Sequence, residues 1–334
     1  MIDRLDAFQQ AHPVLGFPIA VLYKYFDDQG GYLAALVAYY GLLSLFPLLL
    51  LLTTVLGIVL ESNPELQREV LDSALGQFPG VGEDLAQPGQ VGGGTLGLVI
   101  GILGSLYGGL GVAQAVQHLM NTAWAVPKNE RPNPFKARAL SLGLLGTIAL
   151  AVIATTALTA VVSGAGGIAD DLGLLFQIGV LAATIALNTI VFAFAFRLAT
   201  ARPLSLRDVL PGAVVAAVAW AVLQAFGASY VGRVSESEST TNGAFGVVLG
   251  LIAFLYLAST IIVIAAEVNV VRLRRLYPRT LLTPFTDAVE LTPGDKRAYT
   301  GMAEAQRSKG FQGVDVTFGP SPKQHDDPGP AKAP

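Results

Sequence analysis

Six long runs without a charged residue are the feature of this sequence that most restricts how the chain can fold. They occupy residues 29–60, 85–127, 139–169, 172–196, 209–232 and 239–266 of 334. A helix rises about 1.5 Å per residue and the hydrocarbon core of a bilayer is about 30 Å thick, so roughly 20 apolar residues suffice for one span. We therefore predict an all-α, polytopic membrane bundle of six transmembrane helices. The composition agrees, with 52% hydrophobic and only 13% charged residues.

The distribution of lysine and arginine predicts the orientation of these helices. When the runs are threaded alternately, nineteen of the 21 basic residues fall on one side of the membrane, in the two termini and the second and fourth connections. The other three connections hold only Arg68 and Arg233. Basic segments are retained on the cytoplasmic side during insertion. We therefore predict a multi-pass protein of the bacterial inner membrane with both termini in the cytoplasm.

The 32 residues before the six-helix domain (33–272) contain an amphipathic pattern. Leu15, Ile19, Leu22 and Phe26 recur at helical spacing, and Pro18 is suited to a helix start. This pattern predicts an interfacial helix that lies along the membrane surface.

The last segment, residues 273–334, is predicted to be a mostly disordered cytoplasmic tail, because prolines and glycines interrupt it and no apolar periodicity persists. A basic cluster lies at the junction of the sixth span and this segment. We expect its side chains to contact anionic lipid headgroups rather than nucleic acid, because no aromatic stacking platform accompanies them. The cluster consists of Arg272, Arg274, Arg275 and Arg279.

Two features of the helices predict how they pack. Pro47 interrupts the backbone hydrogen bonds of the first span and predicts a kink, with Ser44 within reach of the carbonyl that proline leaves free. Glycines at small-residue spacing predict close helix packing, with homodimerisation through the same surface as the alternative. These glycines are Gly97, Gly101, Gly104 and Gly108 in the second span and Gly246 and Gly250 in the sixth.

The opening of the first span, Ala38-Tyr39-Tyr40 followed by Ser44-Leu45-Phe46-Pro47, resembles that of the YihY/BrkB family of bacterial inner-membrane proteins. Other segments match the family in the same order, so the resemblance covers roughly residues 15 to 272. They are Asn121 with Trp124 and Val126, Arg131 with Arg138, Pro211-Gly212-Ala213 with Trp220, and Gly243 with Leu255-Tyr256-Leu257 and Ala266-Glu267-Val268-Asn269. The sequence departs from the family pattern before Gly243 and at Phe254 and Ala265.

The resemblance implies a membrane protein linked to the cell envelope, for which either ribonuclease activity or transport has been supposed. Nuclease chemistry needs a set of metal-binding carboxylates or a histidine pair reached through a basic groove. The predicted cytoplasmic connections are about a dozen residues long and supply neither, and the three histidines stand far apart at positions 12, 118 and 325. We therefore predict no enzyme activity, no cofactor and no metal site.

Polar residues within the spans are the candidate functional residues. Gln114, Gln117, His118 and Asn121 recur at helical spacing on the second span. They are either interhelical hydrogen-bond partners or the lining of a polar path together with Asn188 and Gln224. Glu267, near the cytoplasmic end of the sixth span, is either a structural ion-pair partner or a proton or substrate site.

Two functions of different classes remain open from the sequence. The first is a secondary transporter or permease for a lipid or other amphiphile, which predicts a hydrated polar face within the membrane. The second is a non-transporting envelope scaffold, which predicts a tightly packed interior and loops or a tail that recruit partners. The scarcity of charge within the spans favours an amphiphilic substrate over an ion, and transport is the leading interpretation.

Overall fold

The computed structural model describes residues 2–59, 94–164, 173–235 and 240–320. Within these ranges the chain forms helices and connections and no strand, which confirms the predicted all-α class. The helices, in chain order, are α1 (Ile2–Ala11), α2 (Pro13–Asp27), α3 (Gly30–Val59), α4 (Gly94–Ala123), α5 (Pro134–Gly164), α6 (Leu174–Ala199), α7 (Leu206–Ser235), α8 (Thr240–Arg274) and α9 (Pro293–Ala305), with a 3-10 turn at Lys128–Glu130.

Helices α4 to α8 each contain an apolar stretch long enough to cross a membrane. These five stretches are Val99–Ala123, Pro134–Thr155, Leu174–Ala199, Leu206–Gly227 and Val248–Arg274, and α3 contributes a shorter apolar segment, Gly30–Leu45. The protein is therefore a multi-pass membrane protein. The full count of six spans, with both termini in the cytoplasm, stays a prediction.

Helix α8 has packing partners on several sides, since it contacts α2, α3, α4 and α7. The interior around it is built largely from small side chains, including the fully buried Ala34, Ala123 and Ala266. Small residues let helix backbones approach closely, which is how helices pack in lipid. Trp124 and Phe196 are also buried there, whereas many other large apolar side chains point outward, as Ile190 and Phe226 show with 67% and 72% of their surface exposed.

The α3–α4 contact uses the glycines that the sequence singled out. A Cβ atom on Gly104 would lie 2.7 Å from Pro47 Cβ, and one on Gly108 would lie 2.5 Å from Ser44 Cβ. These two glycines therefore lie where α3 and α4 approach closely. Gly101 is buried and Gly250 is half-buried, whereas the surroundings of Gly97 and Gly246 lie outside the described part of the structure.

Helix α3 continues past Pro47 to Val59 as one helix. Ser44 Oγ donates a hydrogen bond to the carbonyl oxygen of Gly41, at 2.9 Å. The carbonyl that Pro47 leaves without its helical partner is that of Leu43, four residues earlier. The expectation that Ser44 would satisfy that carbonyl is therefore wrong.

The predicted N-terminal helix is present as α2, but it begins at Pro13 and contains Pro18 in its interior. Its apolar residues Leu15, Leu22 and Phe26 are 46%, 50% and 70% exposed. The opposite face of α2 packs against α8 and includes the buried Lys24. Contact of the exposed face with the membrane surface stays a prediction.

The expectation of a mostly disordered tail is wrong for residues 273–320. Residues 276–320, here called the C-terminal layer, contain α9 and several buried side chains, among them Leu276, Arg279 and Asp295. Pro293 occupies the first turn of α9, where its missing N–H costs nothing. Prolines therefore begin and separate structured segments in this layer. Residues 321–334 lie outside the described ranges.

Candidate functional site

The basic connections meet at one end of the bundle. Asn121 Oδ1, near the end of α4, accepts a hydrogen bond from the backbone of Ala201 between α6 and α7, at 2.8 Å. Arg272 Nη1 of α8 donates to the carbonyl oxygen of Arg207 at the start of α7, at 3.3 Å. The Arg307 guanidinium in the C-terminal layer pairs with Glu130 between α4 and α5. This shared end, here called the basic end, agrees with the predicted alternate threading of the chain.

A buried cluster of three charged side chains lies at the basic end. Lys24 of α2 forms an ion pair with Asp28, one turn further along the chain, and its Nζ lies 3.6 Å from Oε2 of Glu267 in α8. The side chains of Lys24, Asp28 and Glu267 are 2%, 5% and 0% exposed. Lys24 also donates to the carbonyl oxygen of Ala123 at the end of α4, at 3.2 Å. The cluster thus joins α2, α4 and α8.

Helix geometry explains why these groups meet. Lys24 belongs to the face of α2 that packs on α8, and that face also carries the small residues Gly16 and Ala20. Helix α2 ends at Asp27, and Gln29 follows with a positive φ of 55°, so the chain turns directly into α3. Asp28 is held in this turn, where its backbone N–H bonds to the carbonyl oxygen of Lys24 at 3.0 Å. The short turn keeps the Asp28 carboxylate beside the Lys24 ammonium.

Burial controls the electrostatics of this cluster. Burial raises the pKa of the Asp28 carboxyl above its ordinary value, and the Lys24 ammonium only partly reverses this. Burial lowers the pKa of Lys24, but Glu267 and Asp28 more than compensate, so the pKa of Lys24 lies above its ordinary value. The fully ionised cluster contains two carboxylates and one ammonium and therefore has a net charge of −1.

Two costs of similar size decide the charge state of the cluster. Protonating an ordinary carboxyl group at pH 7 costs about 4 kcal/mol, because each pKa unit corresponds to about 1.4 kcal/mol. Leaving a buried charge without its partner costs about 3–5 kcal/mol. Neither oxygen of Glu267 has a hydrogen-bond partner within the described residues, so its negative charge is poorly compensated.

A second buried ion cluster connects α2 to the C-terminal layer. The Arg279 guanidinium pairs with Asp295 at the start of α9, and its Nη2 lies 3.0 Å from Asp27 Oδ2 at the end of α2. The prediction that Arg279 contacts lipid headgroups is wrong, because its side chain is 1% exposed and is held between two carboxylates. Burial lowers the pKa of Arg279, but the Asp27 and Asp295 carboxylates more than offset this and raise it.

The C-terminal layer covers the basic end through contacts with the N-terminal helices. The Tyr23 hydroxyl of α2 donates to the carbonyl oxygen of Leu281 at 2.5 Å, and Asp6 of α1 accepts a hydrogen bond from the Leu281 backbone at 3.0 Å. Burial raises the pKa of Tyr23. A cavity of about 440 Å³ lies within the layer, with Asp287, Lys296 and Tyr299 in its wall.

The other arginines of the predicted lipid-contact cluster lie at the end of α8. Arg272 and Arg275 are exposed, so their contact with headgroups stays a prediction. Arg274 is half-buried and its guanidinium donates to the carbonyl oxygen of Trp124. Arg274 therefore holds the end of α4 against α8.

The four polar residues of the second span point in different directions. Gln117 is buried and its Nε2 donates to Ser141 Oγ of α5 at 2.9 Å, while Asn121 bonds to Ala201 as described above. These two residues are interhelical hydrogen-bond partners. Gln114 and His118 are exposed, and His118 Nδ1 lies 3.5 Å from Arg131 Nη1. Asn188 and Gln224 are half-buried on α6 and α7, and their part in a polar path stays a prediction.

The sequence singled out Glu267 but missed the groups that surround it. Lys24, Asp27 and Asp28 are not part of the apolar pattern that predicts the N-terminal helix, yet Lys24 and Asp28 are buried and Asp27 faces Arg279. One signal was available, because Lys24 is the only cation in an otherwise apolar helix, and its i,i+4 spacing to Asp28 predicts an ion pair. The sequence gives no sign that Glu267 completes the cluster.

The apolar helices define the class of protein, a multi-pass helical membrane protein. Its buried ion clusters lie at one end of the bundle. The model of a family described as virulence factor BrkB matches residues 21–286, and the chain belongs to this family. The matched segment includes Lys24, Asp28, Glu267 and Arg279 and ends before α9. The predicted resemblance to the YihY/BrkB family is confirmed.

A curated relative is the putative ribonuclease-like protein YfkH of Bacillus subtilis (strain 168). It is 28% identical over 271 residues, which cover 74% of this chain and 91% of the relative. No solved structure matches the chain.

Proposed function

We propose that the protein is a secondary transporter or permease that moves a lipid or another amphiphile of the cell envelope across the bacterial cytoplasmic membrane. In this proposal both termini are cytoplasmic, the basic end faces the cytoplasm, and the immediate partners are membrane lipids rather than nucleic acid. The observation that carries the proposal is the exposed polar pair of α4, Gln114 and His118.

The position of this pair favours an amphiphilic substrate. Gln114 lies nine residues before the end of α4, which corresponds to about 14 Å along the helix and thus to the middle of the membrane. Polar side chains are costly against hydrocarbon and normally face protein or water. A headgroup that moves along Gln114 and His118 toward Arg131 would supply polar contacts while its acyl chains remain in lipid.

Reconstitution tests this proposal directly. The purified full-length protein is placed in liposomes that contain a phospholipid with a fluorescent, chemically quenchable headgroup. We expect a quencher added outside to remove more fluorescence than in protein-free liposomes, because labelled lipids reach the outer leaflet. Gln114→Leu with His118→Leu is expected to slow this exchange, and Asn188→Leu tests the predicted extension of the path. Wild-type liposomes that behave like protein-free ones would refute the proposal for phospholipids.

Cysteine accessibility provides a second test, since the native chain contains no cysteine. Cysteine reacts with a water-soluble maleimide only where water reaches it. We expect Gln114→Cys and His118→Cys to react in membranes and Leu103→Cys to stay unreacted, although Leu103 is 63% exposed on the same side of α4. Protection of both polar positions would show that no hydrated path exists there.

The scaffold function has one specific observation in its favour. Phe285 and Phe311 of the C-terminal layer are 80% and 92% exposed. Contiguous exposed apolar patches mark protein contact sites, so the scaffold interpretation requires that both rings belong to one partner-binding surface. The scaffold interpretation predicts that Phe285→Ser with Phe311→Ser abolishes the cellular phenotype of the protein, whereas the Gln114 and His118 variants leave it unchanged. The transporter interpretation predicts the opposite result.

We propose further that the protein is not a nuclease. The short cytoplasmic connections predicted from the sequence supply no set of catalytic carboxylates. Their lack no longer suffices to exclude nuclease chemistry, because the C-terminal layer is folded and Asp287 and Glu290 lie in its cavity wall. The proposal therefore needs its own test. Purified protein incubated with labelled RNA and Mg²⁺ or Mn²⁺ is expected to leave the RNA intact. Cleavage that disappears in Asp287→Asn would contradict it.

A further inference from the structure

The buried cluster of Lys24, Asp28 and Glu267 contains one more acidic group than basic groups, and the layer of residues 276–320 lies against the same end of the bundle. We propose that Asp28 and Glu267 share one bound proton, so that this cluster is a proton-binding site. The use of that proton as the coupling ion rests on the transport function proposed above, whereas the binding of the proton does not.

The geometry of Glu267 is the main support for a shared proton. Its side chain is completely buried, and its two oxygens lack hydrogen-bond partners in the described ranges. The Lys24 ammonium lies 3.6 Å away and is turned toward Asp28 and the Ala123 carbonyl oxygen. Asp28 and Glu267 both lie beside the same ammonium group, that of Lys24. A proton on either carboxyl group would provide the missing donor and form a carboxyl–carboxylate hydrogen bond.

The other charged groups around the cluster are engaged elsewhere. Asp27, at the end of α2, faces Arg279 at 3.0 Å. Arg274 of α8 interacts electrostatically with Asp28, but its guanidinium donates to the Trp124 carbonyl oxygen. Ala123 at the end of α4 and Trp124, the residue after it, contribute backbone carbonyl oxygens and no charged side chain to these contacts. Among the described contacts, the cation that lies near Glu267 is Lys24, at 3.6 Å, and no other cation forms a hydrogen bond with Glu267.

The site also has a route for proton exchange. Asp28 lies at the turn between α2 and α3 and retains 5% side-chain exposure, whereas Glu267 has none. A proton can reach Asp28 from water at the basic end and pass across the shared hydrogen bond to Glu267. Glu267 belongs to the span Val248–Arg274, so this transfer carries the proton toward the membrane interior.

Infrared spectroscopy of the full-length protein in a detergent that contains no carbonyl group, such as an alkyl maltoside, tests the proposal, because a protonated carboxyl group has a carbonyl stretch that a carboxylate lacks. We expect the wild type to show this band at pH 7. Glu267→Gln and Asp28→Asn are each expected to abolish it, since either change leaves one carboxylate beside one ammonium. Glu290→Gln, which alters an exposed carboxylate in the C-terminal layer, is the matched control and should retain the band.

The pH dependence of thermal stability is a second measurement. A proton held only in the folded state makes the folded protein bind more protons than the unfolded chain. Its stabilisation is therefore complete below the ordinary carboxyl pKa of about 4 and is lost as the pH rises through the folded-state value. We expect the Tm of the wild type to fall as the pH rises from 6 to 9, with a clearly smaller fall in Glu267→Gln and an unchanged one in Glu290→Gln.

The outcomes separate this proposal from the transport function. A wild type without the carboxyl band, or a band that survives in both Glu267→Gln and Asp28→Asn, would overturn the proton site and leave two ionised carboxylates in a structural ion cluster. Lipid exchange without the band would preserve transport and remove the proton site. The band without lipid exchange would preserve the site and remove transport of phospholipids.

Discussion

At the residue scale, Arg272 and Asn269 of α8 hold the first turns of α7, where Pro211 interrupts the backbone hydrogen bonds. Pro211 cannot donate a backbone hydrogen bond, which leaves the Arg207 carbonyl oxygen without its helical partner. Arg272 donates to that oxygen, and Asn269 bonds through both ends of its amide, accepting from Gly212 N at 2.7 Å and donating to Val209 O at 3.1 Å. Side chains of α8 thus satisfy the backbone that Pro211 disrupts.

Replacement of Gly212 by alanine tests this arrangement. A Cβ atom there would lie 2.1 Å from the Ala265 carbonyl oxygen and 2.4 Å from Asn269 Nδ2, so α7 and α8 would have to separate. We expect Gly212→Ala to lower the free energy of unfolding by about 2–3 kcal/mol, as overpacking does in cores, in a detergent denaturation titration. Gly146→Ala is the control, since a Cβ there meets nothing within 4 Å. Equal stability of the two variants would contradict the close α7–α8 contact.

The residue scale also shows where sequence reasoning succeeds and where it stops. Gln117 and Asn121 were recognised as polar residues that must find partners, because the rule needs only their position in an apolar helix. Their partners, Ser141 and Ala201, were not recognised. Lys24 and Glu267 are 243 positions apart, and no local periodicity connects them. Pairing across the bundle depends on tertiary packing, which a single sequence does not reveal.

At the element scale, α3 and α4 fit together through matched small residues. Gly104, Gly108 and Gly111 of α4 lie against Pro47, Ser44 and Tyr40 of α3, so the two antiparallel helices approach closely over two turns. The sequence predicts the glycine surface because small residues recur at spacings of three and four. It does not identify α3 as the partner.

Gly108→Ala is expected to loosen this pair of helices. The added Cβ would lie 2.6 Å from Ser44 Cα, which cannot rotate away. We expect faster backbone hydrogen exchange in residues 30–45 and 99–115 and a loss of about 1–3 kcal/mol in the free energy of unfolding. Gly179→Ala on α6, where nothing lies within 4 Å, should leave exchange unchanged. Identical exchange in both variants would refute the tight α3–α4 contact.

The C-terminal layer is the part of the fold for which the prediction from sequence was wrong. Its prolines and glycines resemble those of a disordered tail, but α9 has a complete capping box in which Thr292 and Asp295 bond reciprocally. The capping signal, threonine followed three residues later by an acidic residue, was present in the sequence. The low apolar content of the segment concealed it, because ion pairs and hydrogen bonds contribute many of the contacts between this layer and α1 and α2.

Asp295→Asn is expected to release the layer. The substitution removes the charge opposite Arg279, and breaking a buried ion pair costs about 3–5 kcal/mol. We expect limited proteolysis to cleave within residues 276–320 much faster than in the wild type while the spans remain intact. Asp287→Asn, which alters an exposed carboxylate of the same layer, should resist cleavage like the wild type. Resistance of Asp295→Asn would show that the ion pair does not hold the layer.

At the scale of the whole molecule, the distribution of basic residues and the folded contacts agree. The sequence assigns nineteen basic residues to one side, and the contacts of Arg272, Arg274 and Arg307 bring the second and fourth connections and the C-terminal layer to one end. Composition and charge are global signals, so a helical multi-pass membrane protein was predictable without tertiary information, whereas the count of six spans and their orientation stay predictions.

This orientation makes a prediction for labelling in cells. A membrane-impermeant maleimide added to intact spheroplasts is expected to label Ser237→Cys in the predicted outer connection. It should not label Pro203→Cys or Ser308→Cys until the membrane is permeabilised. Labelling of Pro203→Cys in intact spheroplasts would reverse the orientation, and labelling of both Pro203→Cys and Ser237→Cys would refute the alternate threading.

The buried pairing of Lys24 with Glu267 has a consequence for biosynthesis. The ribosome produces the lysine at the start of the chain and the glutamate only with the final span, 243 residues later. Until then the ammonium group has only its neighbour Asp28 for charge compensation. The cluster of Lys24, Asp28 and Glu267 is therefore complete only after the last span has been inserted, and chains that stop before α8 would keep a buried ion cluster without its second carboxylate.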